Sequence, residues 1–461
     1  MKFKIVYNKL LHTDLKILYF LGKTGIKLLG VAPLTKKAKS EKAGPIIADA
    51  TFQLLDKWKC KDCIKSMVFD TTHTNTGHLT AACVSIQERL SRQLLWCACR
   101  HHIGEIVLTH IWQDLKIETS KGPDILLFKR LRENFNDIKI DDQINLELNY
   151  APINEKSPDI IDFCKRLLKE ECPIRGDYKE LLQLILIYLD HENNSYNIQA
   201  PGAVHHARWM SKLIYCLKIV LLKNKIIDEL PKAKIFTPFQ IDQLHRFVDF
   251  FVFIYVPWWY TAIFPENAAQ NDLQFWISIN EYKDELISKS AAKSFKNHTW
   301  YLTEELVCFC LFSDTISVEK KTKIVTKLKS FDKVDMFTKR HGYKFGKPIL
   351  PDIEINELSS FVGESSWYLF ELLDIDTEFM NFPTEQWESL PAYIDAKEKI
   401  MNIRVVNDSA ERGVKLASDF LSTAQIEQRY QNILQVVEND RNSEPNLRCR
   451  KIKSKSWFLK L

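Results

Sequence analysis

Along the first 115 residues the apolar positions switch between two periods. Residues 2–7 interleave lysines with Phe3, Ile5 and Tyr7, and residues 15–21 and 26–31 are β-rich runs set apart by Gly22 and Gly25. This pattern predicts three strands joined by tight turns. Residues 43–58 then place Ile46, Ile47, Ala50, Leu54, Leu55 and Trp58 at helical spacing. A short apolar run at 64–69 ends in Asp70 and predicts a strand. Residues 79–90 predict a helix, 93–97 a strand and 103–115 another helix. The order is βββαβαβα, a meander followed by βα units.

Beyond residue 160 the period of two all but disappears. Helical patterns cover 178–189, 208–222, 238–255, 272–288, 304–312 and 318–328, dense in tryptophan and phenylalanine. Residues 124–158 predict a link, and 408–438 predict a closing helical stretch. The tail from Arg448 to Lys460 is basic. Apolar residues make up 46% and charged residues 27% of the 461, which excludes overall disorder and collagen-like repeats. The 64 basic and 59 acidic side chains leave a net charge of +5, which permits a nucleic-acid partner without arguing for one. No charged segment followed by an apolar one opens the chain, so no signal peptide is expected. The most apolar stretch, 250–265, is shorter than the ~20 residues that span a bilayer, and no membrane partner is expected. Eleven cysteines, an odd number, scattered through helical and strand-like segments fit reduced thiols better than a disulfide framework.

Several residues could carry chemistry. Asp70 ends an apolar strand and precedes Thr71, Thr72, His73, Thr74, Asn75, Thr76 and Gly77. A carboxylate at a strand's carboxyl end sits where ligands and metals gather in α/β sheets, although on its own residues capping of the helix that follows is the first expectation. Cys97, Cys99, His101 and His102 lie close together, and Cys60 and Cys63 form a lone CxxC. Zinc needs four ligands and no second cluster has matching spacing, so packing is expected of both groups. Cys99 and His102, three apart, would share a helix face. Gly22, Lys23 and Thr24 lack the earlier glycine of a phosphate-binding loop, since Ile17 stands there, and read as a hairpin turn. Arg208 and Trp209 open a helix, either as an ordinary helix start with a core aromatic or as an indole platform for a base with an arginine on phosphate. Asp408 or Ser409 could cap the closing helix that carries Glu411.

The shared order of these motifs resembles the transposases of the hAT superfamily, and the resemblance spans nearly the whole chain. It implies an α/β ribonuclease H-like core with a mixed sheet, interrupted by a large all-α insertion. The implied boundaries are 1–120 for the first part of the core, 121–158 for the connection, 159–392 for the insertion, 393–445 for the helices completing the core and 446–461 for the tail. Matched position by position, Asp70 corresponds to the second catalytic carboxylate and Glu411 to the third. Cys99 and His102 correspond to a structural pair near the site, and Arg208 and Trp209 to the insertion's DNA-handling pair. The first carboxylate's position holds Asn8, a weaker ligand for a hard cation, and Asp14 replaces it only if the strand register differs. The resemblance further implies Mg²⁺ or Mn²⁺ bound by Asp70 and Glu411, DNA (transposon ends) as partner, a homo-oligomer and a nuclear location. The implied reaction is strand cleavage and transfer by two metal ions, impaired here by Asn8. A non-enzymatic DNA-binding or assembly protein of transposase descent is the alternative, and a helical protein-interaction scaffold the second. The family's N-terminal zinc-finger domain has no counterpart in the sequence.

Overall fold

The computed structural model describes residues 42–77, 79–118, 125–139, 155–169, 176–189, 196–202, 209–332, 357–406, 435 and 438, and the backbone alone of 2–6, 15–22 and 25–33. Strands β1 (Lys2–Val6), β2 (Leu15–Gly22) and β3 (Gly25–Pro33) form an antiparallel sheet in the order β1-β2-β3. Phe3 pairs with Phe20 and Leu21 with Ile26, and the register shifts once, between Leu18 and Tyr19. Helix α1 (Ala43–Lys57) ends where Lys59 takes a left-handed conformation, φ 51°. The Cys60 N–H then donates back to Leu55 O at 3.0 Å, satisfying one of the helix's last carbonyls.

Strand β4 (Ser66–Phe69) follows, then the single turn α2 (His73–Thr76) and helix α3 (Ala82–Leu90). Strand β5 (Leu95–Ala98) lies parallel to β4, with Phe69 opposite Ala98. Every residue of both strands is buried, which is why they read as continuous apolar runs rather than alternating ones. The side chain of Gln87 ties α3 to β5, its Oε1 accepting from the Leu94 N–H at 2.8 Å and the Trp96 indole at 3.1 Å. Helix α4 (Arg100–Asp114) starts two residues after β5 ends.

The expectation of a ribonuclease H-like core is overturned. The described strands fall into two sheets, a three-stranded antiparallel one and a pair of parallel strands, and most of the described chain is helical. Hydrophobic period locates strands, but sheet membership is decided by non-local pairing that period does not encode.

Contacts divide the chain into two compact units. One comprises Met1–Ile103, Thr261–Gln274 and Lys296–Lys453, and the other Gly104–Tyr260, Phe275–Phe295 and Ser454–Leu461. In the second unit the core is aromatic: Trp112, Phe128, Trp209 and Phe247 pack with ring centroids 5.4–5.9 Å apart. Helix Pro238–Phe250 opens with a reciprocal cap between Thr237 and Gln240. It passes into a π-helical turn, Phe251–Tyr255, before Pro257, a residue with no N–H to continue an α-helical ladder. The single helix expected over 272–288 is two, Ala268–Asn280 and Glu285–Phe295, because the Asp284 carboxylate accepts the Ile287 N–H at 3.2 Å and starts the second. Among the described residues no helix is long and apolar enough to cross a membrane.

Candidate functional site

The parallel pairing of β4 and β5 brings two of the singled-out residues to one edge. Asp70 directly follows β4 and Cys99 directly follows β5, and the Cys99 N–H donates to Phe69 O at 2.8 Å. The Asp70 carboxylate is half-buried and is held through one oxygen. Oδ1 accepts from the Thr72 N–H at 3.1 Å, from Thr72 Oγ1 at 2.6 Å and from Asn75 Nδ2 at 2.6 Å. The bond to the Thr72 N–H closes an Asx-turn, while Thr72 itself occupies the cap position of α2. Asp70 is thus a turn former held by Thr72 and Asn75, and its described hydrogen bonds leave Oδ2 without a partner.

Asn75 is 1% exposed, and its amide spans Asp70 Oδ1 and Asp70 O. Asn75→Ala should cost about 1–3 kcal/mol, because it removes these bonds from a buried site. The check is a urea melt beside Thr74→Ala, an exposed neighbour expected to stay within about 0.5 kcal/mol of the native chain. Cys83, fully buried on α3, lies within electrostatic reach of the carboxylate. Burial first, and the Asp70 charge second, push its thiol pKa up and hold it protonated.

The Cys99–His102 segment is organised by a residue the sequence reading passed over. Cys99 is 1% exposed and His102 half-buried, but Arg100 between them is completely buried. Its guanidinium donates from Nε (3.2 Å) and Nη2 (2.5 Å) to Asp272 Oδ1, from Nη1 to Ala262 O at 3.0 Å and from Nη2 to Ala268 O at 3.4 Å. Asp272 is itself 1% exposed. Tyr301 donates to Ala98 O at 2.7 Å with its ring 5.6 Å from the guanidinium, and burial pushes its phenol pKa up. A lone arginine between an apolar strand and an apolar helix is the available signal, since Arg is almost never buried without a partner. Asp272, 172 residues away, has no such signal.

Trp300 packs on Phe69 and Trp96 of the strand pair, with ring centroids 6.1 and 6.5 Å away. Trp209 sits in the aromatic core of the second unit at 6% exposure, its indole N–H donating to Thr109 Oγ1 at 2.9 Å and the Lys212 ammonium 4.4 Å over its ring. That is the setting of a helix start with a core aromatic. Asn8, Asp14, Arg208 and Glu411 lie outside the described residues.

For a divalent ion Asp70 offers an oriented carboxylate. Asp70 fits the part of a single ligand, since donors fixed on one oxygen aim the other, as outer-shell partners do in metal sites. Among the described residues no group of three His, Cys, Asp or Glu could hold a metal. The ligands that would have to join Asp70 are therefore ones the described residues do not supply, and no chemical step is assigned to an ion. No protein-family model matches the chain, and no curated protein matches it either.

Proposed function

We propose that the chain is a transposase-like protein that acts on DNA, with Asp70 and Glu411 as its surviving catalytic carboxylates and Asn8 holding strand cleavage low in the native sequence. The motif order supports this reading, and one geometric observation carries it furthest. Asp70 stands at the carboxyl edge of a parallel strand pair beside Cys99, fixed through Oδ1 by Thr72 and Asn75. When bound, Mg²⁺ or Mn²⁺ supplies Lewis acidity at a phosphodiester. Asp70 contributes a carboxylate oxygen whose direction is set before any ligand arrives, and Asn8 contributes a neutral amide where a third charge belongs. The substrate places its action in the nucleus, and a homo-oligomer would bring two DNA ends together.

The test is nicking of supercoiled plasmid in Mn²⁺ by the native chain, Asn8→Asp, and Asn8→Asp with Asp70→Ala, alongside DNA binding across a salt series. The reading expects nicking by Asn8→Asp, little by the native chain and none once Asp70 is lost. Binding should weaken steeply with salt as counterions are released. Salt-dependent binding with no nicking by any variant would establish a non-enzymatic DNA-binding protein instead. Absence of both would leave a protein-interaction scaffold.

A further inference from the structure

The CxxC pair has no part in the DNA reading, yet its surroundings are unlike those of the other described cysteines. Helix α1 ends in a left-handed Lys59, and the chain turns directly into Cys60, which is completely buried and donates its S–H to Leu55 O at 3.5 Å. A single 3₁₀ turn, Lys61–Cys63, follows, with the Cys63 N–H on Cys60 O at 3.1 Å. Cys60 immediately precedes that turn and Cys63 ends it, so this backbone bond holds the two residues close together along one short turn of chain. Cys63 is half-buried whereas Cys60 is shut away from solvent.

The turn is clamped from outside by Arg92. Ser91 ends α3 in a left-handed conformation, φ 51°, and Arg92 follows at once. Its guanidinium donates to the carbonyls of Lys61 and Asp62, the Asp62 bond being 2.9 Å long. Burial holds this guanidinium's pKa down, and the neighbouring Asp62 first and Cys63 second act against that. A cysteine reachable from solvent beside an arginine is the environment in which a thiolate forms and reacts. Burial first, and proximity to Cys63 second, push the Cys60 thiol pKa up to about 12, so the inner cysteine stays protonated and waits.

We propose that Cys60 and Cys63 are a redox-responsive dithiol, in which Cys63 reacts first with an oxidised low-molecular-weight disulfide and Cys60 resolves the adduct into an internal bridge. The Cys63 thiolate attacks one sulfur of the disulfide RSSR and expels RS⁻, which takes up the proton Cys63 gave to solvent. The Cys60 sulfur then displaces the second RS⁻ from Cys63, and the departing thiolate takes up the proton that Cys60 loses. Two protein thiols and RSSR become one Cys60–Cys63 disulfide and two RSH, so atoms and electrons balance. The bridge would close the turn that leads from α1 into β4.

The experiment incubates the full chain with oxidised glutathione, quenches in acid, alkylates and maps the peptides by mass spectrometry. The native chain should show Cys60 joined to Cys63, with the loss of two hydrogens and no lasting glutathione. Cys60→Ser should stop at a Cys63–glutathione mixed disulfide. Cys63→Ser, a change in a half-buried turn that leaves the core intact, should leave Cys60 unmodified. Arg92→Gln should slow the first step severalfold while the product stays the same. A native chain that keeps glutathione on Cys63, keeps both thiols reduced, or carries stoichiometric zinc on the pair would overturn the proposal.

Discussion

Asp272→Ala should destabilise the first unit by about 3–5 kcal/mol, the expected loss when one partner of a buried ion pair is removed and the other charge stays behind. Arg100 has no route to water, since it is completely buried with its fork fixed on Asp272 and on the carbonyls of Ala262 and Ala268. The remaining acceptors are neutral, so they satisfy donors without answering the charge. Asp272→Asn keeps an oxygen acceptor for the guanidinium and should cost measurably less than the alanine. Urea unfolding of the two variants and the native chain reads the difference. A loss below about 1 kcal/mol for Asp272→Ala would mean that Arg100 is not the anchor of this segment, because such a loss is ordinary for a surface substitution.

The same pair shows what the sequence could and could not reveal. Strand ends and helix spans in the first 115 residues are legible because they depend on local period: β4 ends at Phe69 and β5 at Ala98, within a residue of expectation. That Asp70 and Cys99 stand side by side depends on the parallel pairing of β4 with β5, which the local period does not state. Sheet membership was not legible either, because the strands could join one mixed sheet or two and period is silent between them. Arg100 was hidden inside a motif read for its cysteine and histidine, and its partner is 172 residues on. Trp209 shows the same limit of local reading. An aromatic at a helix start draws attention as a base platform, yet its surroundings are Trp112, Phe247 and a hydroxyl partner at Thr109. Burial of that kind follows from three-dimensional packing and leaves no local trace.

Gly44→Ala should destabilise the protein by about 2 kcal/mol or more, against the usual direction of such a change. Elsewhere, alanine in place of glycine gains about 0.4–1 kcal/mol by restricting the unfolded chain, and alanine also has the higher helix propensity. At Gly44 the new methyl carbon would lie 2.1 Å from Thr80 O, 2.8 Å from the Ala81 α-carbon and 2.9 Å from its carbonyl carbon. All three are backbone atoms, so no rotamer change can make room. Relief requires α1 to move away from the segment that starts α3, and that movement reaches past Ile47 and Ala48, both buried on α1. Gly176→Ala is the internal control, because nothing lies within 4 Å of its added carbon, and that variant should be neutral or slightly stabilised. Thermal melts of the two variants should therefore shift in opposite directions or differ by several degrees. Equal shifts would show that α1 yields to the methyl group at no cost, and that its approach to residues 80 and 81 is not a constraint on the sequence.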